Sequence, residues 1–200
     1  MPTVSLRTRQ AELARQAIFD ALVRHLEAGD ADDIPMDALA REAGVSRRTL
    51  YRYFPSRADL LAAAGEWIRA EALQLPIAIG EEGIAGSFRT AASRMQQRPR
   101  LARALLRTQT GRAARSTARA ERVKAVRKAV RHEVPGLSRR EVERAAAVLG
   151  LLCSSNAWIT IQDESGLDAS SAQAAVVWAI ETLLAQLRGG DHATRNGRRR

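Results

Sequence analysis

Aromatic side chains make up only 4% of the sequence, so any core has to be assembled from Ala, Leu, Val and Ile. Cysteine occurs once, at Cys153, which excludes an intramolecular disulfide and suggests no cysteine-based metal site. There are only six prolines and few β-branched runs, while small helix formers abound, which argues for an all-α chain. No apolar run approaches the ~20 residues of a membrane span, and the N-terminus lacks the apolar stretch of a signal peptide. The expectation is a soluble cytoplasmic protein. Catalytic signatures are missing as well. There is no P-loop, GxSxG, HExxH or glycine-rich dinucleotide fingerprint, the three histidines lie far apart, and the carboxylates are scattered. The sequence therefore predicts no enzyme, no cofactor and no metal. Acid is scarce relative to base, and the net charge of +10 points to a polyanionic partner without naming it. An arginine-rich, merely solvated surface accounts for the charge equally well.

What is present is concentrated between Met36 and Leu61. Met36, Leu39, Ala40 and Ala43 recur at i, i+3, i+4 and i+7, one apolar face of a short helix. Gly44 can take the left-handed conformation that ends it, and Ser46 is a good N-cap for a second helix. That helix turns Leu50 and Phe54 inward and leaves Arg47, Arg48, Tyr51, Arg52 and Tyr53 largely outward. Two short helices across a glycine turn, the second lined with arginine and tyrosine, read as a helix-turn-helix.

At Leu39-Ala40, Ala43-Gly44-Val45-Ser46, Thr49-Leu50-Tyr51, Tyr53-Phe54, Ser56-Arg57 and Leu60-Leu61 the sequence resembles the TetR family of one-component transcriptional repressors. The resemblance covers the first third of the chain. Pro35 stands where that family usually has a Thr or Ser helix cap, Arg57 stands for its usual Lys, and Arg48 replaces a common small residue. The first loses a hydroxyl contact to phosphate, the second keeps charge but changes fork geometry, and the third suggests a DNA sequence of this protein's own.

Elsewhere the chain reads as helix after helix. Met1 to Gln10, with Arg7 and Arg9, is either an arm on DNA or a frayed terminus. Ala14, Ile18, Leu22 and Leu26 form the next row, which Gly29 and Asp30, Asp32 and Asp33 end. Ser56 to Asp59 has capping-box form and opens a helix to about Leu75, whose N-terminus suits a phosphate. Trp67 and Ile68 on it are expected to pack under the second domain, and Pro76 and Gly80 mark its end. Residues 81 to 108 predict two short helices split near Arg98-Pro99. Arg112, Arg115, Arg119 and Arg122 then form one stripe on a helix running to His132. That stripe is a solvated face, a second nucleic-acid patch or a site for an acidic effector. Ser138 and Glu141 begin a helix, nearly apolar all round through Cys153, with Asn156, Trp158 and Thr160 near its end. The last helix, about Ser170 to Leu187, has Ala172, Val176, Ala179, Leu183 and Leu187 in one row and stops at Gly189-Gly190. Two such helices per chain predict a dimerising four-helix bundle, as the resemblance also implies.

The sequence thus predicts an all-α homodimer. Residues 1–55 form a three-helix DNA-binding domain, 56–75 a connecting helix, 76–190 a helical-bundle effector-binding and dimerisation domain, and 191–200 a basic disordered tail. Arg47, Arg48 and Tyr51 are candidates for base edges of a palindromic double-stranded DNA operator, and Thr49, Arg52, Tyr53 and Arg57 for its phosphates. By the resemblance a small-molecule effector releases the operator, with Phe88, Met95, Leu105, Asn156 and Trp158 as pocket candidates. The alternative is a sequence-independent nucleic-acid-coating protein. It uses only the basic surface and ignores both the helix-turn-helix residues and the apolar C-terminal pair, and competition between DNA sequences separates the two. A membrane-surface protein fails for want of large apolar faces beside the basic residues.

Overall fold

A computed structural model describes residues 6–29, 34–75, 78–116 and 119–197, with side chains for all of these except Arg7 and residues 190–197. Features expected on residues 1–5, on the Arg7 side chain, on Asp30, Asp32 and Asp33, on Pro76 and on Arg198 to Arg200 lie outside the described residues. Every regular element among the described residues is helical. In order these are α1 (Leu6–Ala28), α2 (Met36–Glu42), α3 (Arg47–Tyr53), α4 (Arg57–Trp67), α5 (Gly83–Gln97), α6 (Pro99–Arg107), α7 (Gln109–Ser116), α8 (Arg119–Glu133), α9 (Arg139–Leu152), α10 (Ser155–Ser165) and α11 (Ala169–Gly197). A π-helical turn, Ile68–Ala72, extends α4.

Local chemistry sets most of the boundaries. Ser56 and Ser138 open α4 and α9 through complete capping boxes with Asp59 and Glu141. The Ser138 hydroxyl and backbone N–H, both directed at the Glu141 carboxyl, hold it below its ordinary range. Pro99 sits in the first turn of α6, where its missing N–H is no loss.

The helices sort into two compact units that do not follow chain order. The first contains α1 to α4, α6 and α7; the second contains α5 and α8 to α11. The sequence-based boundary at residue 76 put α6 and α7 with the second domain, but they pack on the first. Two glycines explain why. A Cβ on Gly65 of α4 would meet the Ala114 carbonyl of α7, and one on Gly111 of α7 would meet the Ala104 carbonyl of α6, so these helices cross at backbone distance. The buried Thr108 hydroxyl caps α7 by accepting from the Gly111 N–H at 2.9 Å and donates to the Ala104 carbonyl at 2.9 Å. Arg98 pairs with Glu27 at 2.8 Å and fixes the start of α6 to α1. Trp67 and Ile68, expected under the second domain, belong to this first unit. Trp67 lies 5.5 Å from the Phe19 ring and donates its indole N–H to Gln16.

In the second unit Ile84, Phe88, Ala92 and Met95 of α5 are buried with Val126 and Val130 of α8, Val142, Ala146 and Leu149 of α9, and Ala172, Val176, Ile180 and Leu184 of α11. Glu133 joins three helices. It accepts from the Ile84 N–H at the start of α5 at 2.7 Å and from Arg188 of α11 at 3.0 Å. Arg127 and Glu143 bridge α8 and α9 at 2.6 Å.

Three expectations need correction here. The arginine stripe does not lie on one helix: Arg112 and Arg115 are on α7 in the first unit, Arg119 and Arg122 on α8 in the second. Spacing at 3, 4 and 3 tests periodicity only, and it cannot see that Gly111 and Ala114 dock α7 elsewhere. The apolar run beyond Ala145 is two helices bent by 56°, because the Ser154 hydroxyl caps a new helix by accepting from the Ala157 N–H. Gly189-Gly190 does not stop α11, which stays helical to Gly197. Glycine weakens a helix by about 1 kcal/mol without forbidding it.

Burial pushes the Cys153 thiol up to about 12, and the nearby Glu133 carboxylate adds to the effect. Attack on disulfide reagents needs the thiolate. Labelling of the folded protein at pH 8 is expected to run roughly a hundredfold slower than labelling in denaturant. Equal rates would show that Cys153 is accessible and ionisable in the folded chain.

Candidate nucleic-acid interface

The turn between α2 and α3 is fixed by backbone geometry. Gly44 has φ +67°, and its N–H reaches the Arg41 carbonyl while the Val45 N–H reaches Ala40, the paired bonds of a Schellman end. Ser46 then caps α3 by accepting from the Thr49 N–H at 3.1 Å. Leu50 and Phe54 are buried, as their spacing predicted, and Phe54 lies 5.5 Å from Phe19 of α1 with the Arg15 guanidinium over its ring. His25 Nε2 of α1 lies 2.7 Å from the Glu42 carboxylate at the end of α2, though not in hydrogen-bond alignment. Arg24 donates to the Glu42 carbonyl at 3.4 Å. These contacts hold the two short helices on α1.

The outward side of α3 is basic and aromatic. Arg47, Arg48, Tyr51 and Arg52 are exposed, and Thr49 and Tyr53 are half-buried. Arg47 lies over the Tyr51 ring at 5.6 Å and pairs with Asp37 at 3.1 Å. Both partners of that pair are more than half exposed, so leaving it for another anion costs little, about 0–1 kcal/mol. Arg52 stacks at 4.9 Å on Tyr53 and donates to its hydroxyl at 3.0 Å. The Thr49 hydroxyl is 2.8 Å from Ser46 Oγ. Thus Arg47, Arg48, Tyr51, Arg52 and Tyr53 come together on one short helix.

Arg57 does not join them. Its guanidinium turns into the unit, donating to the Ile34 carbonyl at 2.6 Å and to the Thr110 hydroxyl at 2.9 Å. These protein oxygens take the donors that the sequence reading gave to a phosphate. Thr110, fifty-three residues away in sequence, carried no local signal that could have found it. Asp37 is a further functional neighbour; an acid in the first turn of α2 facing an arginine on α3 is legible only once the turn geometry is known.

The pocket candidates are scattered. Leu105 is in the first unit, and the other four are in the second. Phe88, Met95 and Trp158 are buried core, with the Trp158 N–H donating to the Ala169 carbonyl at 3.0 Å, whereas Asn156 is exposed.

Residues 18–64, from the middle of α1 to α4, match the family model described as bacterial regulatory proteins, tetR family. Two uncharacterized HTH-type transcriptional regulators of Mycobacterium tuberculosis, one from strain CDC 1551 / Oshkosh and one from strain ATCC 25618 / H37Rv, are each 47% identical to the chain over 58 residues. The matched stretch spans 29% of this chain and 29% of each relative. Over residues 18–64, with their glycine turn, capped second helix and outward basic face, the chain is similar to the tetR family of bacterial regulatory proteins.

Proposed function

We propose that this protein is a DNA-binding transcription regulator, a repressor that holds a near-palindromic operator as a homodimer and lets go when a small molecule binds its C-terminal helices. The observation that carries the reading is the face of α3, where Arg47, Arg48 and Tyr51 stand exposed on a helix whose buried side is locked to α1. Arginine forks match guanine O6 and N7, and a tyrosine ring lies on a thymine methyl. Thr49, Arg52 and Tyr53, set to the side, fix register on phosphates. In this reading residues 1–55 read the operator, 56–75 connect, and effector control belongs to the region from 76 to 190, with α6 and α7 as the part of it that packs on the reader. A cytoplasmic location follows from the same role.

The test is selection of bound fragments from random duplex DNA. The expected result is an inverted repeat with half-sites one helical turn apart, about 34–36 Å. A pool that emerges unenriched would favour the coating alternative, which rests on the +10 charge alone.

Arg48 is exposed and, among the described residues, unpaired, so it is the side chain most available to a base. Arg48→Ala is expected to cost ~1–3 kcal/mol at one operator position and to relax preference there while the other positions keep theirs. Uniform weakening over all operator variants would move Arg48 to the phosphates.

A further inference from the structure

We infer that Arg57 and Thr110 form a positioning pair that makes the pose of the DNA-reading helices depend on α7; this rests on the DNA-binding reading above. Three observations carry it. The helix α2 starts at Pro35, which has no side chain able to cap it, and no cap bond forms there. The chain at that point is held instead through the Ile34 carbonyl, by Arg57 Nη1 at 2.6 Å. The same guanidinium reaches across to Thr110, whose side chain is all but fully buried in α7. One planar fork with fixed geometry therefore ties three elements together, the start of α2, the start of α4 and the first turn of α7.

The rest of α7 is fixed to α4 along its length. Gly65 lets the Ala114 backbone come within contact of α4, so the two helices pack at backbone distance. A shift of α7 reaches the reader through α4, whose first residue, Arg57, holds the Ile34 carbonyl two residues before α2, and α2 packs on α3. With no side-chain cap at Pro35, the chain entering α2 is tethered through the Ile34 carbonyl.

Thr110→Val keeps the shape and every charge and removes only the hydroxyl. It is expected to weaken binding to the selected duplex roughly tenfold, within the range of ordinary coupling between sites. Arg57→Met should do the same, the double variant should be no weaker than Arg57→Met alone, and Thr110→Ser should restore wild-type binding. Amide hydrogen exchange without DNA gives the independent readout: α2 amides should exchange faster in Thr110→Val and Arg57→Met, with the α9 amides unchanged as the check on folding. Wild-type binding and wild-type α2 exchange in Thr110→Val, beside weakened binding in Arg57→Met, would overturn the pairing and return Arg57 to the phosphates. If the wild-type chain selects no duplex, the DNA reading falls, and the exchange rates of α2 still decide whether the strut exists.

Discussion

Gly65→Ala is expected to destabilise the first unit by about 3 kcal/mol, the upper range of overpacking, although alanine is ordinarily the better helix former by roughly 1 kcal/mol. The sign reverses because of one distance. A Cβ at Gly65 would lie 1.8 Å from the Ala114 carbonyl oxygen and 2.6 Å from its carbonyl carbon, and both are backbone atoms that no rotamer change can move aside. The helix α7 would have to leave α4, taking with it Thr110 and the hold on Arg57. Gly150→Ala supplies the control. Gly150 is also inside a helix, but its Cβ would find nothing nearer than Val126 Cγ1 at 4.0 Å, an ordinary contact. That substitution should stabilise by ~0.5–1 kcal/mol. Denaturant unfolding of both variants is the measurement. Equal stability of Gly65→Ala and wild type would show that α4 and α7 are not in backbone contact.

The contrast between those two glycines shows where sequence reading stops. Caps are local, and so Ser46, Ser56 and Ser138 were legible at three-residue range, as was Gly44 from the turn it sits in. The buried faces of α1 and α3 followed from periodicity, which needs only one helix at a time. Gly65 and Gly111 look like weak points of ordinary helices, because the reason for them lies on a different helix. The same holds for the link from Arg57 to Thr110, for the grouping of α6 and α7 with α1, and for the stripe that turned out to span two helices. The bend at Ser154 does have a local signal. A serine preceding Ala157 by three residues can cap a helix even inside an apolar run, and here it does. The family match on residues 18–64 stops within α4, short of the second unit.

The proposed dimer is expected to come apart when Trp178 and Leu151 are replaced by glutamate. These side chains are 69% and 59% exposed, and Val148 beside Leu151 is 47% exposed, on two helices, α9 and α11, that pack on each other. Around Trp178 the neighbours four before, four after and seven after, Ala174, Thr182 and Ala185, are small and exposed, which leaves room for a close approach. A tryptophan in this position would bury roughly 150 Å² against a second copy, ~4 kcal/mol at 25 cal/mol/Å², and twofold symmetry counts it twice. Even after the losses that association always carries, Trp178→Glu should raise the dissociation constant about a thousandfold, as expected of two hot-spot side chains. Because the residue is exposed in the single chain, helical content should not change. Leu183 and Leu187, which the sequence row offered as the dimer face, are half-buried within their own chain. Charging them should lower the stability of the unit itself, and this separates the two faces. Sedimentation across the micromolar range decides the matter. A wild-type chain that stays monomeric there, or a Trp178→Glu, Leu151→Glu chain that stays dimeric, would remove this interface. The first result would also remove the means of setting two α3 helices one turn apart on DNA.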